Sequence, residues 1–428
     1  DAGNVHWTAA EIRADLIEAL RAYNAATQTY RGQGSFSTVA GQVWYDLPTV
    51  LPSLRAYTVL DQDLVVNLEY ALLEPPTPTS WTGTAQFTLA ALTQALQRRR
   101  DQFLRETGGV VSHETTAVTI PASGRVALPA DTITVRRAAW VMATGIVVPL
   151  VREDEWALTG YLPAWPQAPG DPTTEPVVAY SVGVAPPLTV QLAPVPTADG
   201  TLDTIAVALG ATLNPAAGVL MGIPDDYTWV VKWGALADLL SPGGTATDTG
   251  RAGLAQQLWA QGVQWASRAT VVLAARLGGV TQPTYSANEA DSYTPGWPNL
   301  SGVPTTPLLL GGNLVGLTPV PDGNGPYTVT LDVVQNVPIP AGLADCYFEG
   351  GVAVLEALYS YAQFCALFRE GDQQAAGAAQ GVLTAFLQAT GITRALEQAA
   401  VPDRRALLDQ TRQGDRAFPR LLPPVEDQ

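Results

Sequence analysis

Residues 223–240, IPDDYTWVVKWGALADLL, decide how the rest of the chain is read. Pro224 fits a first helical turn, where its missing N–H is no loss, and Asp225 and Asp226 set negative charge at the positive end of the helix dipole. Trp229, Trp233, Leu236 and Leu240 then recur at helical spacing, with Tyr227, Val230, Val231 and Gly234 in the adjoining stripe. Only Lys232 and Asp238 break the apolar surface, so the spacing predicts a helix covered on most sides. Ser241-Pro242-Gly243-Gly244 ends it. A second helix is expected over about 251–277, with Leu254, Leu258, Trp259, Val263, Ala266 and Leu273 on its apolar side. The pair reads as an αα-hairpin reached through a strand and a turn. These residues serve packing, not catalysis.

Composition points the same way. The chain has 428 residues, 47% apolar and only 14% charged. That length allows about three ordinary domains, and a surface poor in charge but rich in Trp, Pro and Thr expects neighbours. The formal charge is −16 and Lys232 is the one lysine. Such a balance argues against nucleic-acid binding through phosphates and suits a surface that DNA passes without sticking. Arg98-Arg99-Arg100, the one basic cluster, reads as a solvated helix face. Cys346 and Cys365 fall in one helical stretch, about 28 Å apart on a straight helix, too far for a disulfide. They read as small buried hydrophobes. No apolar run is long enough to span a membrane. The first residue, Asp1, implies trimming or offset numbering, and no signal-peptide pattern remains.

Along the chain, Ile12, Leu16, Ile17, Leu20 and Tyr23 mark an amphipathic helix over about 8–30, with Thr8 and Glu11 spaced as a capping box. A Gly-rich turn is expected at 31–34 and a strand at 43–47, stopped by Pro48, whereas 54–73 gives no clear pattern. Trp81-Thr82 repeats Trp7-Thr8 ahead of a helix carrying Leu89, Leu92, Leu96, Phe103 and Leu104. Each helix is followed by a Gly-containing turn and a short strand ending in Leu-Pro (Leu47-Pro48, Leu128-Pro129), as in a diverged duplication. Strand signals dominate 116–209 and predict a small antiparallel sheet or sandwich, interrupted by a Pro-rich stretch at 162–187.

A second echo pairs Leu192-Ala193-Pro194-Val195-Pro196 with Leu317-Thr318-Pro319-Val320-Pro321. Each leads through an Asp-Gly turn to an alternating strand (205–209, 329–333) and then to a long apolar helix. The second helix carries Tyr347, Phe348, Val354, Leu358, Tyr361, Cys365 and Phe368, and a partner helix follows over about 373–389. The fold class is therefore α+β: helical hairpins combined with a small antiparallel β-sheet or sandwich, in two pseudo-repeated strand-to-helical-hairpin units. The expected divisions are 1–115 (helices with short strands), 116–187 (β-rich), 188–280 (first unit), 281–312 (an extended Pro/Gly-rich arm), 313–400 (second unit) and 401–428 (tail). The arm reads either as a segment laid over a neighbouring subunit or as a surface loop. The tail carries a short helix at 404–411 and then Phe418-Pro419-Arg420-Leu421-Leu422.

Equipment for chemistry is missing. His6 and His113 are the only histidines, with no second ligand or nucleophile motif beside them, and read as surface residues. No phosphate loop or nucleophile elbow is present. Arg152-Glu153-Asp154-Glu155 reads as a loop and Asp225-Asp226 as a helix start, neither as a converging carboxylate pair. Asn299-Leu300-Ser301 is a formal glycosylation sequon without a secretory context. No catalytic residue, cofactor or metal is expected.

The order of elements carries a resemblance. Leu128-Pro129-Ala130-Asp131 leads to Val135-Arg136-Arg137-Ala138-Ala139-Trp140, then Val148-Pro149-Leu150, the Leu192-x-Pro-x-Pro strand, Ile223-Pro224-Asp225-Asp226-Tyr227 and Gly234-Ala235-Leu236-Ala237-Asp238-Leu239-Leu240, closing on an arginine-containing helix. Over about 82–277 this resembles adaptor or head-to-tail connector-type structural proteins of tailed bacteriophages. The resemblance implies a virion component, assembled in the host cytoplasm as a ring of identical subunits that connects portal, neck, tail or baseplate parts, without catalysis, sequence-specific nucleic-acid binding or membrane contact. The chain departs from the pattern in its length. The interface candidates are Tyr285, Tyr293 and Trp297 in the arm and Phe418, Leu421 and Leu422 in the tail. The alternative is a carbohydrate-binding or depolymerising protein that stacks sugars on Trp140, Trp156, Tyr161 and Trp165, although aromatics there are expected to fill the sheet core.

Overall fold

The computed structural model describes residues 7–73, 86–118, 124–161, 177, 179–183, 188–241, 247–337, 339, 352–371 and 373–400. Helix α1 (Ala9–Thr27) begins with the expected reciprocal cap: the Glu11 N–H donates to Thr8 Oγ1 at 3.2 Å, and the Thr8 N–H donates to the Glu11 carboxylate at 2.6 Å. The expected Gly-rich turn is instead extended. Arg31–Ser37 is a strand, β1, whose glycines answer to neighbours rather than to chain reversal. A Cβ on Gly32 would stand 2.9 Å from the Leu54 side chain and one on Gly34 2.7 Å from Leu51. Bare backbone lets those leucines cover the strand.

Strand β2 (Trp44–Asp46) runs into the single turns α2 (Leu47–Val50) and α3 (Pro52–Arg55). Helix α4 (Asp61–Leu72) occupies the stretch whose hydropathy showed no pattern, because Asp61 and Glu69 are buried on its inner face. Asp61 is satisfied there by the N–H groups of Asn214 and Val219, at 2.6 and 2.8 Å. Helix α5 (Leu89–Thr107) is capped by Thr88; Trp81 and Thr82 lie outside the described residues.

A seven-stranded sheet comes next in the chain. Its members are β3 (Ser112–Val118), β4 (Arg125–Ala127), β5 (Thr132–Met142), β6 (Val147–Arg152) and, after the short helix α6 (Glu155–Tyr161), β7 (Ala179–Val182), β8 (Thr189–Ala193) and β9 (Gly200–Ala208). The spatial order is β3-β9-β5-β6-β7-β8-β4, antiparallel except at β6–β7. Laid flat, the two edges would be about 29 Å apart at the usual strand spacing. The chain from Val118 to Arg125 reaches at most about 25 Å. The sheet therefore curls, closing over Val118, Val126, Trp140, Leu150, Tyr180, Val190 and Leu202. It draws β8 and β9 from beyond residue 187, so strand pairing crosses that boundary.

A 3₁₀ turn at Asp225–Tyr227 leads into α7 (Thr228–Leu240), in which only Asp238 is not buried. Its partner α8 (Thr249–Ser267) packs closely because glycines stand at the crossing: a Cβ on Gly234 would run into Trp259, and one on Gly262 into Val230. Helix α8 ends earlier than its apolar spacing suggests. Past Thr270-Val271 the chain is strand β10 (Val272–Leu277), and Leu273 belongs to it. Consecutive β-branched residues favour that change.

The stretch expected as an extended arm is folded. It contains β11 (Val280–Gln282), β12 (Tyr285–Ser286), α9 (Ala287–Tyr293), a 3₁₀ turn at Trp297–Asn299, β13 (Ser301–Gly302) and the start of β14 (Thr306–Leu310). Strands β15 (Leu314–Thr318), β16 (Val320–Pro321) and β17 (Thr328–Val334) complete three further sheets, ordered β1-β17-β10-β11, β12-β14-β15-β2 and β13-β16. Helices α10 (Val352–Glu370) and α11 (Gln373–Ala400) come last. Cys346, Tyr347 and Phe348 lie outside the described residues.

The architecture is mixed α+β. Helices α5, α7 and α8 pack on one another, as do α1, α10 and α11, with α4 touching both groups. One continuous apolar core runs through all of them. Strand β9 precedes α7 and strand β17 precedes α10. The Ala193-Pro194 and Thr318-Pro319 bonds upstream are both cis.

Candidate functional site

The structure scatters the residues singled out as interface candidates. Tyr293 closes α9 with 83% of its surface exposed, and Tyr285 is half-buried on β12 beside Leu308 of β14. Trp297 is 1% exposed and belongs to the core, which corrects its place on a free arm. Phe418, Leu421 and Leu422 lie outside the described residues, as do the short tail helix, His6 and Trp165.

Trp297 is held by a joint that nothing local in the sequence announced. Its indole N–H donates to Asp291 Oδ1 at 2.8 Å. The same carboxylate takes both Nε and Nη2 of Arg137, a buried residue of β5, at 2.8 and 3.1 Å. The guanidinium lies 5.3 Å from the Trp297 ring centre and 5.6 Å from that of Trp44, and the two indoles meet edge to face. His113 is exposed, as expected, and sits at the rim of this joint, 2.7 Å from Asp203. The 281–312 stretch is thus clamped onto the seven-stranded sheet. Asn299 adds a second clasp, exchanging two side-chain hydrogen bonds with the Val147 backbone at 2.7 and 2.8 Å.

A second joint lies where α1, α7 and α10 meet. Lys232, 3% exposed, pairs with Glu18. Glu18 also accepts the Trp233 indole N–H at 2.7 Å and the Tyr361 hydroxyl at 2.9 Å. Burial pushes the Tyr361 hydroxyl well above its ordinary value, reinforced by the Glu18 charge. One turn away, Asp15 pairs with Arg369 at 2.5 Å; burial pushes its carboxyl up to about 7 against the pull of that arginine. Asp225 and Asp226 do more than start a helix. Asp225 accepts the N–H groups of Thr58 and Val59, and Asp226 those of Asn24 Nδ2 and the Val337 backbone. Burial pushes Asp226 up to about 6. The lone lysine within an apolar helix was a visible signal for this joint; its partner, 214 residues upstream, was not.

The arginine cluster is structural as well. Arg100 is buried, donating to the carbonyls of Ala211 and Gly210 at the end of the sheet, and Arg98 and Arg99 converge on Asp238 of α7. Trp140 fills the sheet core as expected, but Trp156 is 89% exposed on α6. Cys365 is a buried thiol, raised well above its ordinary value by burial. Among the described residues, no group of three His, Cys, Asp or Glu side chains is placed to hold a metal, and no helix is long and apolar enough to cross a membrane. These joints bind segments to one another; they bring no nucleophile and base into reach of a common point.

No curated protein matches the chain. Residues 63–270, from α4 through the seven-stranded sheet to the end of α8, match the family model of the SU10 adaptor protein, and this part of the chain is thereby similar to adaptors of the phage structural type.

Proposed function

We propose that the chain is a structural component of a tailed-phage virion, assembling into a ring of identical subunits that connects portal, neck, tail or baseplate parts. The observation that carries this reading is the adaptor match over residues 63–270. The remainder of the chain supports it: segments on either side of the matched part supply α1, α10, α11 and the β1-β17-β10-β11 sheet, which build a second helical group beside the first. In this reading the two groups are pseudo-repeats, each a strand leading to a helical hairpin, and the second gives the adaptor added surface for neighbours. Tyr293, Tyr285 and the tail residues Phe418, Leu421 and Leu422 are proposed to face those neighbours.

Light scattering after size exclusion, with negative-stain images of the purified chain and of the chain mixed with portal or tail proteins, tests the proposal. Rings of uniform diameter are expected alone or on a partner. A chain that stays monomeric and joins no virion component would refute it.

A further inference from the structure

The sheet ordered β1-β17-β10-β11 ends in two strands that each pair on one side only. Its register runs straight across: Ser35 stands opposite Thr330, Thr330 opposite Arg276, and Arg276 opposite Thr281. In the same register the Gln335 N–H donates to the Tyr30 carbonyl and the Thr38 N–H to the Tyr327 carbonyl. Even-numbered residues of β1 therefore bond to β17, and the N–H and C=O groups of Gln33, Ser35 and Ser37 point away from it. All three residues are exposed. Carried through β17 and β10, the same alternation leaves the Thr281 N–H and C=O pointing out from β11, where Thr281 is exposed as well. Among the described residues no backbone hydrogen bond reaches these outward groups. Strand β1, Arg-Gly-Gln-Gly-Ser-Phe-Ser, also carries none of the lysines, prolines or bulges that blunt an edge.

The two edges complement each other. Set antiparallel with Ser35 facing Thr281, β1 of a second copy extends the sheet past β11, and the register then puts Phe36 against Val280. Val280 is 60% exposed at the end of the row Phe36, Val329, Leu277, whose members are all buried. A second Phe36 beside it continues that apolar row. On the opposite face the hydroxyls of Ser35 and Thr330 already meet at 2.8 Å, and Ser35 against Thr281 repeats the same kind of pair.

We propose that β1 of one copy pairs with β11 of the next, head to tail, so that one sheet continues from subunit to subunit; this names the subunit contact of the ring reading and rests on it. A contact between two different edges propagates and closes into a ring where the rotation allows. Ser35→Pro and Thr281→Pro each remove an outward N–H that serves no bond within the chain's own sheet, so both variants should fold. Val280→Asp, at a position exposed in the single copy, spoils the β11 edge by a second route and keeps the test decisive if a proline variant does not fold. Sedimentation reads each full chain alone and mixed with portal or tail proteins. Each variant should associate with itself about tenfold more weakly than the wild type, or not at all. Ser35→Pro mixed with Thr281→Pro should form a one-to-one pair, because each brings the edge that the other lacks. Variants that associate as the wild type does, or a mixture that pairs no better than its parts, would overturn the junction and leave the ring reading standing. A wild type that joins neither itself nor a virion component overturns both.

Discussion

Removing the ammonium of Lys232 should cost far more than removing the ion pair as a whole. In Lys232→Met the Glu18 carboxylate stays buried among Trp233, Tyr361 and the α1–α10 contact, with two neutral donors left to it. Breaking one side of a buried pair typically costs about 3–5 kcal/mol, and those two donors set the expected loss at the lower end. Glu18→Gln strands the ammonium instead, with a loss of similar size. In the double variant the Gln carbonyl can still accept from Trp233 and Tyr361, and no unpaired charge remains. Its loss should be only about 1–2 kcal/mol, giving a coupling energy of about 3 kcal/mol or more. Urea unfolding followed by tryptophan fluorescence reads all four proteins, because Trp229 and Trp233 are buried beside the pair. Losses that simply add, or a Lys232→Met variant within about 1 kcal/mol of wild type, would refute the view that this pair is a fully desolvated joint.

The glycines of α8 should split in sign. Gly262→Ala meets Val230 and should lose about 1–3 kcal/mol, whereas Gly253→Ala points into open space and should gain up to about 1 kcal/mol; urea midpoints decide it. Burial raises Asp226 to about 6 and Asp15 to about 7, so both hold protons in the folded chain that the unfolded chain has released. Their contribution favours folding fully below the ordinary value of 3.8 and is lost as pH rises through about 6 and about 7. Asp226→Asn should flatten the decline between about pH 4 and 6, where that carboxyl accounts for about 3 kcal/mol; an unchanged slope in a urea series counts against it. Tyr293→Ser, at an exposed position, should leave stability within about 0.5 kcal/mol while reducing assembly on virion partners. Intact assembly would remove Tyr293 from the interface.

The features legible in the sequence were local ones. Helix α7 could be read because Pro224, the paired aspartates, the apolar spacing and the closing Ser-Pro-Gly-Gly all agree within eighteen or so residues. Thr8 with Glu11 was legible for the same reason. The misreadings share a different cause. Gly32 and Gly34 look like a turn until Leu51 and Leu54 are placed against them, and Asp61 hides a helix until Asn214 and Val219 arrive with their N–H groups. Trp297, set among prolines and glycines, looks like an arm; its partner Arg137 comes from a strand 160 residues earlier. In each case the deciding neighbour is distant in the chain, and spacing carries no record of it. The same holds at larger scale. The adaptor-like part, 63–270, is contiguous in sequence, but the helices packed beside it come from both flanks, and Glu18, Lys232, Trp233 and Tyr361 are where those flanks meet it. A domain assembled from two ends of a chain must be specified at its seams, by a few polar contacts that fit only one docking. That is why the double-variant coupling at Glu18 and Lys232, rather than the loss of any apolar side chain, tests how the two halves recognise each other.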